Sequence, residues 1–199
     1  MTTDTETTEH TPFHRTPEEL LAGVEHVRES PREEGLLELV VVRPGKYQRR
    51  VLETATLDLE LGVLGDNWIE RGSSRTVDGG PNPEAQVTVM SSRAVDLVAV
   101  TRERWPLAGD QLYVDLDLST ENLPTGTILE IGEAQLEVTA APHTGCAQFK
   151  ERFGVEALRL TATPDGRFLR LRGINTRVVR GGDVRPGDTV RVVRVEESA

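Results

Sequence analysis

Cys146 is the only cysteine of the 199-residue chain and lies in the segment PHTGCAQF, residues 142–149. A single cysteine cannot form a disulfide within the chain, so it is either a small apolar residue or a thiol kept for its chemistry. Pro142 ends a strand-like segment, Gly145 favours a turn, and the residues after Cys146 predict a short helix. A thiol at such a junction lies near unpaired helix N–H groups, which favour the thiolate. The residues alone leave both alternatives open and favour the structural one.

Other side chains could complete a site around this thiol. His143 could polarise or deprotonate Cys146, or it could be an exposed loop histidine. Glu121 and Asn122 could orient ligand groups, or they could belong to a chain reversal before Pro124. The spacing of these residues in the sequence does not decide whether they belong to a site or only to loops and turns.

Basic and glycine-rich segments suggest where an anion could bind. Arg172 and Arg177 could meet a phosphate or carboxylate, although arginines on a strand often form a solvated face. Gly79 and Gly80, in a long loop over residues 72–84, could offer backbone N–H groups to a phosphate. This loop lacks the Gly-Lys-Thr/Ser ending of a nucleotide-binding P-loop.

The pattern of the elements predicts a mainly β, α+β fold. Thr16, Pro17 and Glu19 predict a capped helix that ends near Glu29, and a second helix is expected at residues 93–102. Alternating Leu112, Val114, Leu116 and Leu118 indicate a half-buried strand. A turn is expected at residues 164–166, and residues 157–162 fit a helix or a strand equally well. Further strands are expected at 36–43, 86–90, 127–131, 135–140, 173–180 and 189–195. Many short strands, few helices and glycine at the corners predict a closed or nearly closed barrel with short peripheral helices.

Length, composition and charge indicate the domain organisation and the cellular compartment. We expect a disordered tail over residues 1–15, a helix and linker over 16–34, and one barrel domain over 35–196. The formal net charge of −10 argues against nonspecific nucleic-acid binding and against docking on an anionic membrane. No apolar stretch is long enough for a membrane span, and the acidic start does not resemble a secretory signal. The expected compartment is the cytoplasm.

Four segments together resemble the MOSC family, named after the C-terminal domain of molybdenum cofactor sulfurases. They are Gly65-Asp66 with the loop VDGGP at 77–81, TENLPTG at 120–126, PHTGC at 142–146, and RGINTRV at 172–178 with GGDVRPGD at 181–188. Each motif is weak alone, but their order and spacing over residues 36–195 are fairly specific. The chain departs from the family pattern at Asp78, where many members have histidine, and at Thr120, where many have glycine.

The resemblance implies a β-barrel domain and molybdenum-cofactor (molybdopterin) chemistry. It assigns Cys146 as a persulfide carrier or a molybdenum ligand. Either role needs a deprotonated, soft sulfur atom. Expected partners are a small-molecule or cofactor ligand and a sulfur-donor or redox protein, and pyridoxal phosphate binding is not expected. Two alternatives are a noncatalytic binding module on the same barrel and a reductase of N-hydroxylated compounds. The residues do not decide whether the protein is an enzyme.

Overall fold

Seven strands close into a barrel in the computed structural model, which describes residues 14–194. The strands along the described chain are β1 (Glu34–Val42), β2 (Arg50–Leu52), β3 (Ala55–Asp58), β4 (Gly62–Val63), β5 (Val87–Ser91), β6 (Leu112–Asp115), β7 (Ile128–Ile131), β8 (Ala134–Val138), β9 (Ile174–Arg180), β10 (Gly182–Val184) and β11 (Thr189–Val193). Around the barrel the order is β1, β6, β5, β9, β8, β7 and β11, and β11 pairs back with β1. β5 and β6 are parallel, and the other barrel pairs are antiparallel. The mainly β barrel predicted from the sequence is confirmed.

Alternation along the strands fills the barrel interior. Leu112, Val114, Leu116 and Leu118 are all buried in the interior cluster, as their spacing predicts. Tyr113 lies between them in sequence and joins a second cluster outside the barrel. One strand therefore serves two cores, because successive side chains point to opposite faces.

Helices cover the outside of the barrel. They are α1 (Pro17–Arg28), α2 (Trp68–Arg71), α3 (Ser92–Ala99), α4 (Ala147–Ala162) and α5 (Pro164–Phe168), with 3₁₀ turns at Pro83–Ala85 and Arg102–Ala108. Buried side chains of α1, α3 and α4 form the second cluster with Met90 and Tyr113 of the barrel wall. A small sheet, in the order β10, β3, β4, lies beside the barrel strands.

Local signals predicted some elements well and others wrongly. The capping box of α1 is present, with Thr16 and Glu19 hydrogen-bonded to each other's backbone. The expected turn at residues 164–166 is instead the first turn of α5, because Thr163 Oγ1 accepts from the Gly166 N–H at 2.9 Å. The ambiguous residues 157–162 are helical, as the end of α4. The helix expected at 93–102 ends at Ala99, because Val100 takes a positive φ of 72°.

Two sequence predictions fall mostly or partly outside the described residues. The disordered tail expected at 1–15 lies almost wholly outside them, and the last strand expected at 189–195 ends at Val193 within them. No helix between residues 14 and 194 is both long and apolar enough to cross a membrane.

Candidate functional site

A fully buried carboxylate organises the most polar part of the interior. Asp110 precedes β6 and has no exposed surface. Its Oδ1 lies 2.7 Å from His143 Nε2, and its Oδ2 accepts from Arg172 Nη1 at 2.6 Å. Both oxygens therefore have a partner, and the partners come from segments 33 and 62 residues away in sequence.

The charges of this trio fix its protonation. Burial alone would raise the pKa of Asp110, but Arg172 and His143 hold it at about 2, so the carboxylate is ionised at neutral pH. Burial lowers the pKa of His143, and the charge of Arg172 lowers it further, although Asp110 opposes both effects. The ring is therefore neutral at pH 7. Since an ionised carboxylate can only accept, the proton of the neutral ring lies on Nε2.

Arginines also fix the backbone that leads to Asp110. Arg152 donates to the Leu107 carbonyl at 2.6 Å, Arg172 to the Ala108 carbonyl at 3.0 Å, and Arg43 to the Gly109 carbonyl at 3.1 Å. The three successive carbonyls 107–109 are thus held by side chains from three segments that are distant in sequence. This arrangement sets the position of the carboxylate before β6 begins.

Close backbone packing places Arg172. Gly173 follows it with a φ of 94°, and a Cβ there would lie 2.4 Å from the Val89 carbonyl oxygen. Glycine is therefore required at the start of β9. The guanidinium of Arg172 also lies over the Phe149 ring, 5.0 Å from its centroid, so the aromatic face of α4 supports it.

A cavity of about 550 Å³ adjoins this trio. It lies between the segment after β8, the helices α4 and α5, and the start of β9. His143, Arg172, Arg170, Arg167 and Asn175 line it among others. Asn175 Oδ1 is buried and has no hydrogen-bond partner in the described part of the chain, whereas its Nδ2 donates to the Ala141 carbonyl at 3.1 Å. The cavity therefore presents cationic groups, and an enclosed amide oxygen of one lining residue lacks a partner.

Cys146 lies directly beyond one edge of the cavity. Thr144 and Gly145 line the cavity, and Cys146 is exposed but does not line it. It occupies the N-cap position of α4, as the sequence predicted, and Lys150 N–H donates to its carbonyl at 3.1 Å. The structure pairs His143 with Asp110 and shows no hydrogen bond between His143 and Cys146.

Gly145 was expected to favour a turn, and that reason for a glycine here was wrong. Its backbone does not take a positive φ. A Cβ at this position would instead lie 2.2 Å from Leu158 Cδ1 on α4. Glycine lets the cysteine segment approach the helix closely, which is a packing requirement rather than a turn requirement.

Glu121 and Asn122 lie away from the cavity lining. Glu121 pairs with Arg32 at 2.9 Å on the surface. Asn122 is fully buried, where its Nδ2 donates to the Arg32 and Asp117 carbonyls and its Oδ1 accepts from Arg194. These contacts tie the 119–123 segment to both ends of the barrel domain.

The remaining predicted residues are also separate from the trio. Arg177 is half exposed and pairs with Glu137 on the outside of β8 at 2.7 Å. Gly80 N–H donates to Asp78 at 2.9 Å, and Gly79 N–H donates to the Thr76 carbonyl at 3.3 Å. Arg75 of the same loop reaches the Pro142 carbonyl at 3.0 Å, so the loop approaches the cysteine segment through a side chain.

Four residues of the site were not singled out from the sequence: Asp110, Arg167, Arg170 and Asn175. Asp110, Arg170 and Asn175 all have structural roles that depend on distant segments. The one local signal was an acidic residue after glycine, directly before an alternating strand. Acidic residues are almost never fully buried unless they are paired. The burial of Asp110 could therefore be predicted only by first identifying Arg172 and His143 as its partners.

The described residues contain no group of three or more histidine, cysteine, aspartate or glutamate side chains placed to hold a metal ion.

Comparisons with known proteins agree on the fold. The YuaD protein of Bacillus subtilis is 18% identical, with a TM-score of 0.58 over 80% of this chain and 95% of that chain. YiiM of Escherichia coli is 19% identical, with a TM-score of 0.51 over 82% of this chain and 72% of that chain. YiiM of Geobacillus stearothermophilus is 15% identical, with a TM-score of 0.52 over 81% and 75%. The comparison with curated proteins found no match.

A family model settles the relationship. The model of the MOSC domain matches residues 74–191, which include the 77–81 loop, the 120–126 segment, Cys146 and the closing strands. The match covers more than half of the chain. The chain therefore belongs to the MOSC domain family.

Proposed function

We propose that this protein binds an anionic small molecule of the molybdopterin type in its cavity and that Cys146 carries sulfur at the cavity edge. The observation that supports this proposal most strongly is the position of the sole cysteine. It is exposed, and it follows directly on Thr144 and Gly145, which line a cavity with three arginines.

The residues of the cavity fit such a ligand in size and in chemistry. A volume of about 550 Å³ lies in the range of small-molecule and cofactor pockets. Arg167 and Arg170 would bind a phosphate, since guanidinium groups recognise phosphate oxygens. Molybdopterin brings its own sulfur ligands to molybdenum, so one protein thiolate would suffice, although residues 14–194 hold no group of three or more histidine, cysteine, aspartate or glutamate side chains placed for a metal.

When bound, the cofactor would supply redox chemistry at its metal. The chain's own contribution is to hold the anion, to keep Asp110 and Arg172 in place beside it, and to present a thiol.

Sulfur loading would be a balanced exchange between two proteins. The thiolate of Cys146 attacks the terminal sulfur of a donor's persulfide, a new S–S bond forms, and the donor's S–S bond breaks as its thiolate leaves. No external oxidant is needed. A cysteine desulfurase charged with cysteine is a donor of this class.

The test is the intact mass of the protein after incubation with a cysteine desulfurase and cysteine. We expect wild type to gain one sulfur atom that a reducing thiol removes, and Cys146→Ser to gain none. An identical gain in both proteins, or no gain in either, would contradict the sulfur role. The serine variant keeps the N-cap position filled by a good capping residue, which makes it a matched control.

A second candidate is a noncatalytic binding module, which one observation favours. Cys146 itself does not line the cavity, so the cavity could bind its ligand without the thiol. In that case Cys146→Ser would bind molybdopterin as tightly as wild type while neither protein accepted sulfur. The mass experiment and a binding titration together separate the two candidates.

A further inference from the structure

His143 has a second ring nitrogen that the contacts described above leave unused. Its Nε2 is occupied by Asp110 at 2.7 Å, while none of the described residues hydrogen-bonds to its Nδ1. Nδ1 is also not among the enclosed side-chain atoms that lack a partner. Because His143 lines the cavity, this nitrogen is open to a molecule bound there.

The tautomer of the ring makes this nitrogen a proton acceptor. Asp110 is ionised and can only accept, so Nε2 carries the proton and Nδ1 carries a lone pair. A carboxylate behind the distal nitrogen of a histidine fixes the ring and stabilises the imidazolium that forms when the other nitrogen takes a proton.

The supports of the pair are rigid. Arg172 holds the second oxygen of Asp110 and also bonds the Ala108 carbonyl, and the Phe149 ring lies under its guanidinium. The side chains of Asp110 and Arg172 are 0% and 8% exposed, against 15% for His143. The exposed edge of the trio is therefore the histidine, on the side of the cavity.

We propose that Asp110 and His143 form a proton-accepting dyad that acts on weak O–H, N–H or S–H acids bound in the cavity. The proton moves from the ligand to Nδ1, and the electron pair of the broken bond stays on the ligand as an anion. Asp110 balances the imidazolium, and Arg167 and Arg170, which line the same cavity, would stabilise the anion. The dyad acts on the ligand and not on Cys146, so the proposal does not depend on sulfur chemistry.

The surroundings of the His143 ring shift its pKa in opposite directions. Burial and the positive charges of Arg172 and Arg43 favour the neutral ring, and Asp110 favours the imidazolium. The balance leaves the ring neutral at pH 7 and therefore able to accept a proton at physiological pH.

The first test is direct observation of the ring in the protein labelled with ¹⁵N-histidine. Long-range ¹H–¹⁵N correlation is expected to show the Nε2–H tautomer with an unprotonated Nδ1, and a titration midpoint below the ordinary value of 6.5. His143→Gln identifies the signals by their loss, and its amide can still donate to Asp110, so the fold should persist. An Nδ1–H tautomer, or an imidazolium at pH 7, would overturn the proposal.

The second test asks whether Nδ1 is reachable in the folded protein. Diethyl pyrocarbonate acylates unprotonated imidazole nitrogens, and peptide mass spectrometry locates the adducts. We expect His143 to be acylated in the native protein at a rate within tenfold of the exposed His26. Labelling of His26 with no adduct on His143 until the protein unfolds would reduce the dyad to a structural pair. Neither result depends on whether Cys146 accepts sulfur.

Discussion

Both oxygens of the Asp110 carboxylate accept a hydrogen bond, and one of the two donors is a buried guanidinium. At the residue scale, the stability of the fold therefore depends on these two hydrogen bonds of Asp110. The attraction within the trio offsets the cost of burying charge only while all three members are present. Removal of one partner leaves the others uncompensated.

Asp110→Asn should therefore destabilise the protein by about 3–5 kcal/mol, because Arg172 would remain buried without a counter-charge. Urea unfolding at pH 7 measures the change. The matched comparison is the double variant Asp110→Asn with Arg172→Met, which removes both charges. We expect the double variant to lose clearly less than the sum of the two single losses, and strict additivity would argue against the pairing.

The roles of residues whose partners are distant in sequence could not be predicted from the sequence. Cys146 stood out because it is the only residue of its kind, and its position at the start of a helix followed from its neighbours. Asp110 carried no such signal, because its partners lie 33 and 62 residues further along the chain. Likewise, the pairing of Arg177 with Glu137 across two strands could not be distinguished from an anion site without the register of β8 and β9.

At the scale of elements, predictions succeeded where the cause was local. The capping box of α1 spans the four residues from Thr16 to Glu19, and the hairpin of β7 and β8 turns through Gly132 at a φ of 54°. Both depend on residues that touch within one turn. The short helix expected after Cys146 is the first segment of α4, which breaks at Gly154.

Gly154 divides α4 into two helical segments with a φ of 91° and a ψ of 164°, a conformation that only glycine adopts readily. The His14 ring lies 3.0 Å from the position that a Cβ would take. Phe149 and Phe153 before the break and Ala157 after it are all buried in the outer cluster. The direction of the segment that begins at Cys146 therefore depends on this glycine.

Gly154→Ala should destabilise the protein by about 1–3 kcal/mol, the usual cost of a strained backbone conformation. Thermal or urea unfolding measures it. Glu151→Ala, an exposed change on the same helix, is the control and should stay within about 0.5 kcal/mol of wild type. Equal stability of the two variants would mean that the chain straightens α4 at no cost.

At the scale of the whole molecule, the free energy of unfolding should fall in two steps as the pH decreases. The pKa of His143 is lower in the folded than in the unfolded chain, so its contribution is present above about pH 6.5 and is lost as the pH falls below that value. The pKa of Asp110 falls from 3.8 to about 2 on folding, so its contribution is lost between about pH 4 and pH 2.

Urea midpoints measured from pH 8 to pH 3 check this order. Wild type should lose stability first below pH 6.5 and again below pH 4. His143→Gln should lack the first step and keep the second, because its amide does not titrate. A wild-type stability that stays flat from pH 7 to pH 5 would be evidence against a neutral His143 in the folded state.

The formal net charge of −10 and the arginines of the cavity act on a ligand over different ranges. An anion approaching from solution is repelled by the molecule as a whole and is attracted only within a Debye length, about 8 Å at physiological salt, of the guanidinium groups. An uncharged weak acid experiences no such barrier and could ionise after arrival, by giving its proton to His143. The surface would then slow the entry of anions in general, and the interior would retain those that form inside it.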